Sequence, residues 1–78
     1  MRPRETCLVV AFETTTQALT MEEAAREAGL EGRLIPIPRV ITAGCGLAWR
    51  TPLVRAQETR DLLQRRQLAF QGCYELEI

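Results

Sequence analysis

Arg33-Leu34-Ile35-Pro36-Ile37-Pro38-Arg39 is the stretch that decides how this chain is arranged. Its β-branched and apolar residues predict a strand. Pro36 and Pro38 stand two residues apart, so in a strand their missing N–H groups lie along the same edge. A central strand would lose two ladder bonds there. An outer edge loses nothing and is protected against addition of a further strand. The segment therefore reads as an edge strand whose other side pairs with the strand that follows a glycine-rich loop at Val40–Gly46.

The flanking segments complete the pattern. Thr6 to Phe12 is a short apolar run ended by Glu13 and reads as a central strand, buried on both faces. Thr14-Thr15-Thr16-Gln17 matches a capping box in which Gln17 reaches back to Thr14. A helix is expected to follow to about Ala28, with Ala18, Met21, Ala25 and Ala28 as its apolar stripe, Gly29 as its stop and Leu30 folding back on the last turn. Downstream, Leu47 to Arg50 begins a third strand. Thr51-Pro52 reads as the N-cap and first position of a second helix running to about Arg66, with Leu53, Ala56, Leu62 and Leu63 toward the core. Leu68 to Ile78 reads as a fourth strand with a bend or bulge at Gly72. The order strand, helix, strand, strand, helix, strand predicts an α+β ferredoxin-like βαββαβ fold. Its antiparallel four-stranded sheet has the order 4-1-3-2, with both helices on one face.

Composition narrows the function. At 78 residues the chain is expected to be one small domain over residues 1–78, near the lower size for a self-sufficient core. It carries 10 basic and 10 acidic residues, and its pI is about 6.2. Nonspecific attraction to nucleic acid or anionic membrane is therefore not expected. All the basic residues are Arg, and there is no Lys, His, Asn or Ser. A Ser–His or Cys–His catalytic pair cannot be built from this chain alone, nor can a Schiff base. An independent enzyme is not expected, nor is a cofactor. The cysteine count is odd, and the apolar run from Cys7 to Phe12 is too short for a secretion signal. These features point to a reducing, cytoplasmic setting, and the neutral surface leaves room for a homodimer.

The chemistry concentrates in Ile41-Thr42-Ala43-Gly44-Cys45-Gly46-Leu47-Ala48-Trp49-Arg50, inside the longest acid-free part of the sequence, between Glu31 and Glu58. A thiol is nucleophilic at neutral pH only if its thiolate is stabilised, which nearby guanidinium and backbone N–H groups can do. Gly44 and Gly46 allow unusual backbone angles and leave little bulk beside Cys45. Arg39 and Arg50 are expected at the two sides of the hairpin's mouth, as supports for negative charge. The alternative reading of Cys45 is a small apolar residue in a hairpin turn. Cys7 and Cys73 read as packing. Strands one and three, taken as parallel neighbours, would bring Cys7 toward Cys45 as a resolving thiol.

The chain resembles a sulfur/selenium carrier-like family of small prokaryotic proteins. The resemblance rests on Phe12-Glu13-Thr14-Thr15, Glu27-Ala28-Gly29, the segment Arg33–Arg39 and Cys45-Gly46-Leu47-Ala48, and it keeps its spacing over nearly the whole chain. Where that family often has serines before the cysteine, this chain has Thr42, Ala43 and Gly44, which leaves the sulfur to backbone N–H groups. The resemblance implies that Cys45 holds a persulfide or perselenide. A donor such as a cysteine desulfurase would load it and an acceptor protein would take the terminal atom. A small ligand-binding or regulatory module is the competing expectation. Metal binding is not expected, because the chain has neither a Cys-x-x-Cys pair nor His. The few aromatics argue against RNA binding through the sheet.

Overall fold

A computed structural model of the chain describes residues 5–42 and 44–78. Ala43 of the cysteine loop, Arg2 and Arg4 lie outside the described residues. The elements are β1 (Thr6–Ala11), α1 (Thr15–Ala28), β2 (Arg33–Pro36), β3 (Leu47–Pro52), a 3-10 turn (Leu53–Arg55), α2 (Ala56–Arg65) and β4 (Gly72–Glu77). The four strands form one sheet in the order β2-β3-β1-β4, every neighbouring pair antiparallel. The expected βαββαβ arrangement and strand order are both present, and the proline strand is on an edge.

The sheet is organised by β1, whose residues Cys7 to Ala11 are fully buried. Side chains alternate across a strand, so β1 feeds two clusters. On the helix face Leu8, Val10 and Phe12 pack with Trp49 and with Ala18, Met21, Ala24 and Ala25 of α1 and Ala56, Leu62 and Leu63 of α2. On the opposite face Val9 and Ala11 pack with Ala48 and with Ile41 from the loop after β2. That loop therefore covers part of the face the helices leave open. Trp49 is 2% exposed, and its indole N–H has no partner among the described residues, a desolvation cost that the packing of the ring must offset.

Helix α1 begins where its sequence says. Thr14 is the N-cap, and its hydroxyl accepts the Gln17 N–H at 3.1 Å. Gln17 reaches back one residue further than expected, accepting the Glu13 N–H at 3.0 Å. At the other end Gly29 is left-handed, and the Leu30 N–H bonds the Ala25 carbonyl at 2.9 Å. Ala24, not Ala28, completes the buried stripe, and Ala28 in the last turn is exposed.

Three boundaries differ from expectation. Thr51 and Pro52 end β3 instead of opening α2: Thr51 is fully buried opposite Leu8 in the ladder, and its hydroxyl donates to the Glu31 carbonyl at 2.6 Å. Leu53 is then 37% exposed in the 3-10 turn and lies outside the core. Strand β2 stops at Pro36, and β4 starts at Gly72 with an unbroken register from Ala11↔Gly72 to Thr6↔Glu77, so Gly72 marks no bulge.

Helix α2 ends without a glycine. Leu68 N–H bonds the Leu63 carbonyl at 2.9 Å, and Gln67 between them takes a φ of 51°. A left-handed conformation costs a non-glycine residue about 1–2 kcal/mol, against about 0.5–1 kcal/mol of extra chain entropy lost by glycine. Gln67→Gly is therefore expected to stabilise the protein by up to about 1 kcal/mol. The check is a rise in melting temperature of a few degrees, with Gln67→Ala leaving it unchanged.

Candidate functional site

Cys45 lies in the bend between Gly44 and Gly46 that leads into β3, and its side chain is half-buried. The antiparallel pairing places that bend. Ala48 faces Ala11, so the start of β3 lies beside the end of β1, where the chain turns through Glu13 into α1. A side-chain carbon at Gly44 would stand 3.1 Å from the Glu13 carbonyl oxygen, so this close approach favours glycine. Gly46 has a φ of 79°, which aims its carbonyl at the Ile37 N–H, 2.9 Å away.

The remaining contacts pin the loop. Ile41 is 5% exposed within the second apolar cluster. Its N–H bonds the Pro38 carbonyl at 3.0 Å, closing a turn. Gln71, just before β4, donates from Nε2 to the Thr42 carbonyl at 3.0 Å and from its backbone N–H to the Ala11 carbonyl at 2.7 Å. The glycines thus serve close approach and a turn of the backbone, and the loop is anchored on both sides of the cysteine.

The sulfur of Cys45 makes two contacts with one residue. Leu47 N–H donates to Sγ at 3.4 Å, and the thiol donates to the Leu47 carbonyl at 3.6 Å. The first contact serves a charged or substituted sulfur as well as a thiol. The second exists only while the sulfur carries its proton. Cys45 also rests against the helix-face core, and its loop abuts the entry to α1, the positive end of that helix's dipole. The polar environment of this sulfur is therefore made by backbone groups. The sequence marks Glu13, Thr14 and Leu47 as element boundaries and motif residues but not as surroundings of Cys45, and it does not mark Gln71. Only the direction of β3 relative to β1 could have found them.

Two expected partners lie elsewhere. Arg50 sits three residues along β3 from Leu47, about 10 Å away along the strand. There it faces Val9 on one side and Arg33 on the other, so it is not at the mouth of the cysteine loop. Cys7 pairs with Pro52, at the opposite end of the sheet from Cys45, and is fully buried. The expectation that strands one and three run parallel is wrong, and the resolving role it suggested for Cys7 loses its geometry. Arg39 does lie on the cysteine hairpin, exposed in the turn closed by Pro38 and Ile41.

Cys73, read as packing, is the second thiol at the Cys45 end. It pairs with Val10 and lines an apolar hollow with Leu63, Gln64, Phe70 and Arg60. Burial pushes its thiol up from the usual range, with the Arg60 guanidinium acting the other way, so it stays protonated at neutral pH. Among the described residues no group of His, Cys, Asp or Glu side chains is disposed to hold a metal ion. None of the helices is long and apolar enough to cross a membrane.

The family described as "Putative Se/S carrier protein-like" matches residues 7–75. The chain belongs to this Se/S carrier-like family. No curated protein and no solved structure matches it. The matched span takes in all three cysteines and every element but the first residue of β1 and the last two of β4.

Two expectations follow for the thiols of this Se/S carrier-like chain. In the native state iodoacetamide at neutral pH should label Cys45 first and Cys73 more slowly, with Cys7 labelled only on unfolding, as read by peptide mass spectrometry. Cys73 labelling should accelerate as pH rises beyond the usual thiol range. Gly44→Ala should cost about 1–2 kcal/mol, because the Glu13 carbonyl must give way, and should raise the labelling rate of Cys45 by loosening its loop.

Proposed function

We propose that this protein is a carrier that holds sulfur or selenium on Cys45, and that it is not an independent enzyme. The observation that carries this reading is the setting of Cys45. Of the three free thiols it is the one placed in a loop, half-exposed, with a backbone N–H directed at its sulfur. Membership of the Se/S carrier-like family supports the cargo.

The transfer balances without an oxidant. The Cys45 thiolate attacks the terminal sulfur of a donor persulfide, such as that of a cysteine desulfurase. The new S–S bond forms on Cys45 as the donor's S–S bond breaks, and the donor cysteine leaves as a thiolate. Delivery repeats the exchange with an acceptor's nucleophile. The selenium version differs only in the atom passed on. The substituted sulfur has no proton to give the Leu47 carbonyl, so loading removes the 3.6 Å contact and keeps the 3.4 Å N–H donation. The terminal atom is then free to turn toward solvent, past glycines on both sides. Arg39, on the same hairpin, is the side chain best placed to meet its negative charge.

Intact-protein mass spectrometry after incubation with a cysteine desulfurase and cysteine tests this, with selenocysteine as the parallel substrate. A gain of one chalcogen atom is expected in wild type, Cys7→Ala and Cys73→Ala, and not in Cys45→Ala. If nothing loads, or if all three cysteines load alike, the carrier reading fails.

A further inference from the structure

The displacement of Arg50 from the cysteine loop leaves it without a role and gives it an unusual neighbour. Arg33 and Arg50 are direct cross-strand partners on β2 and β3. Both lie on the sheet face opposite the helices, since their neighbours Leu34 and Trp49 face the helices. Like charges directly opposite one another oppose sheet formation. Such a pair is ordinarily relieved by a carboxylate, yet neither guanidinium is within salt-bridge distance of one. Every Asp and Glu of the chain lies among the described residues, and among those residues their ion pairs involve Arg55, Arg60 and Arg66.

The two arginines also share a cavity of about 290 Å³, lined in addition by Glu5, Glu31, Gly32 and Pro52. Glu31 points toward Arg55, whose Nε is 4.0 Å from its Oε1, and Glu5 is the other carboxylate on the lining. Gly32 contributes backbone alone, and a side-chain carbon there would overlap the Trp49 ring. The hollow is therefore polar, with guanidinium groups from two antiparallel neighbouring strands that make no ion pair among the described residues. Guanidinium groups bind phosphate and carboxylate oxygens through paired N–H donors.

We propose that Arg33 and Arg50 form a binding site for an oxyanion, a phosphate or carboxylate group presented by a small molecule. The bound anion would supply the counter-charge that the sheet lacks. The site lies at the end of the sheet away from Cys45 and does not depend on the carrier reading.

The test uses the full chain and inorganic phosphate, titrated against chloride at constant ionic strength and followed by amide NMR, with acetate in a second arm. Saturable shifts are expected at Gly32, Arg33 and Arg50, unchanged in Cys45→Ala. The two arms tell a phosphate preference from a carboxylate one. Arg33→Gln and Arg50→Gln should each weaken binding about tenfold or more, as loss of charge-assisted bonds does, while Glu5→Gln should tighten it by removing a like charge from the lining. In chloride alone Arg50→Gln should melt at or above the wild-type temperature, because it relieves the repulsion, and phosphate should raise the melting temperature of wild type only. The proposal is overturned if neither anion produces saturable shifts, or if wild type and both variants respond alike. It is also overturned if both variants melt below wild type in chloride, which would make the pair part of the fold.

Discussion

The antiparallel seating of β1 between β3 and β4 is the constraint on which the rest of the structure depends. Five successive residues, Cys7 to Ala11, are fully buried there, so the strand must be satisfied on both edges and both faces. Its edges are closed by the two ladders, its helix face by α1 and α2, and its other face by Ile41 and neighbouring residues. A one-residue slip of β1 would exchange Phe12, Leu8 and Val10 with the small residues Ala11 and Cys7, which neither face could accept. The register is therefore fixed, and with it the pairing of Ala11 with Ala48.

That pairing makes the cysteine site. It brings the residues before β3 against the turn into α1, and the gap is narrow enough that a side chain at position 44 would crowd the Glu13 carbonyl. The loop is not a free arm. It is tied through Ile41, Thr42 and Gly46 to other parts of the fold, Gly44 lies close against Glu13, and the sulfur is held by the first residue of the strand it precedes. A carrier thiol must be reachable by two partners and yet hold a reactive atom between visits. An anchored loop with a half-buried sulfur suits the second requirement, and the small flanking residues suit the first.

Much of the fold was legible from local chemistry. Thr14 and Gly29 act at the ends of α1 as their types require, because capping is satisfied within a few residues of the chain. Pro36 placed its strand on an edge because a missing N–H is a local fact with a sheet-wide consequence. Thr51-Pro52 misled for the complementary reason. The Thr51 hydroxyl finds the Glu31 carbonyl twenty residues away, a partner no local pattern announces. Arg50 and Cys7 were misplaced by one error of direction. Each helix returns the chain to the side from which it left, so β1 and β2 run the same way, and the hairpin sets β3 against both.

The sequence by itself determined the element types, the order of the strands, the edge position of β2 and the identity of Cys45 as the thiol in a glycine-flanked loop. These follow from residue types and near-neighbour spacing. Only the tertiary structure decided what surrounds that thiol and what the arginines face. Those are contacts between segments far apart in the chain, set by the direction and register of β3 against β1. That geometry parts Cys7 and Arg50 from Cys45, puts the entry of α1 beside the cysteine loop, and sets Arg50 across from Arg33.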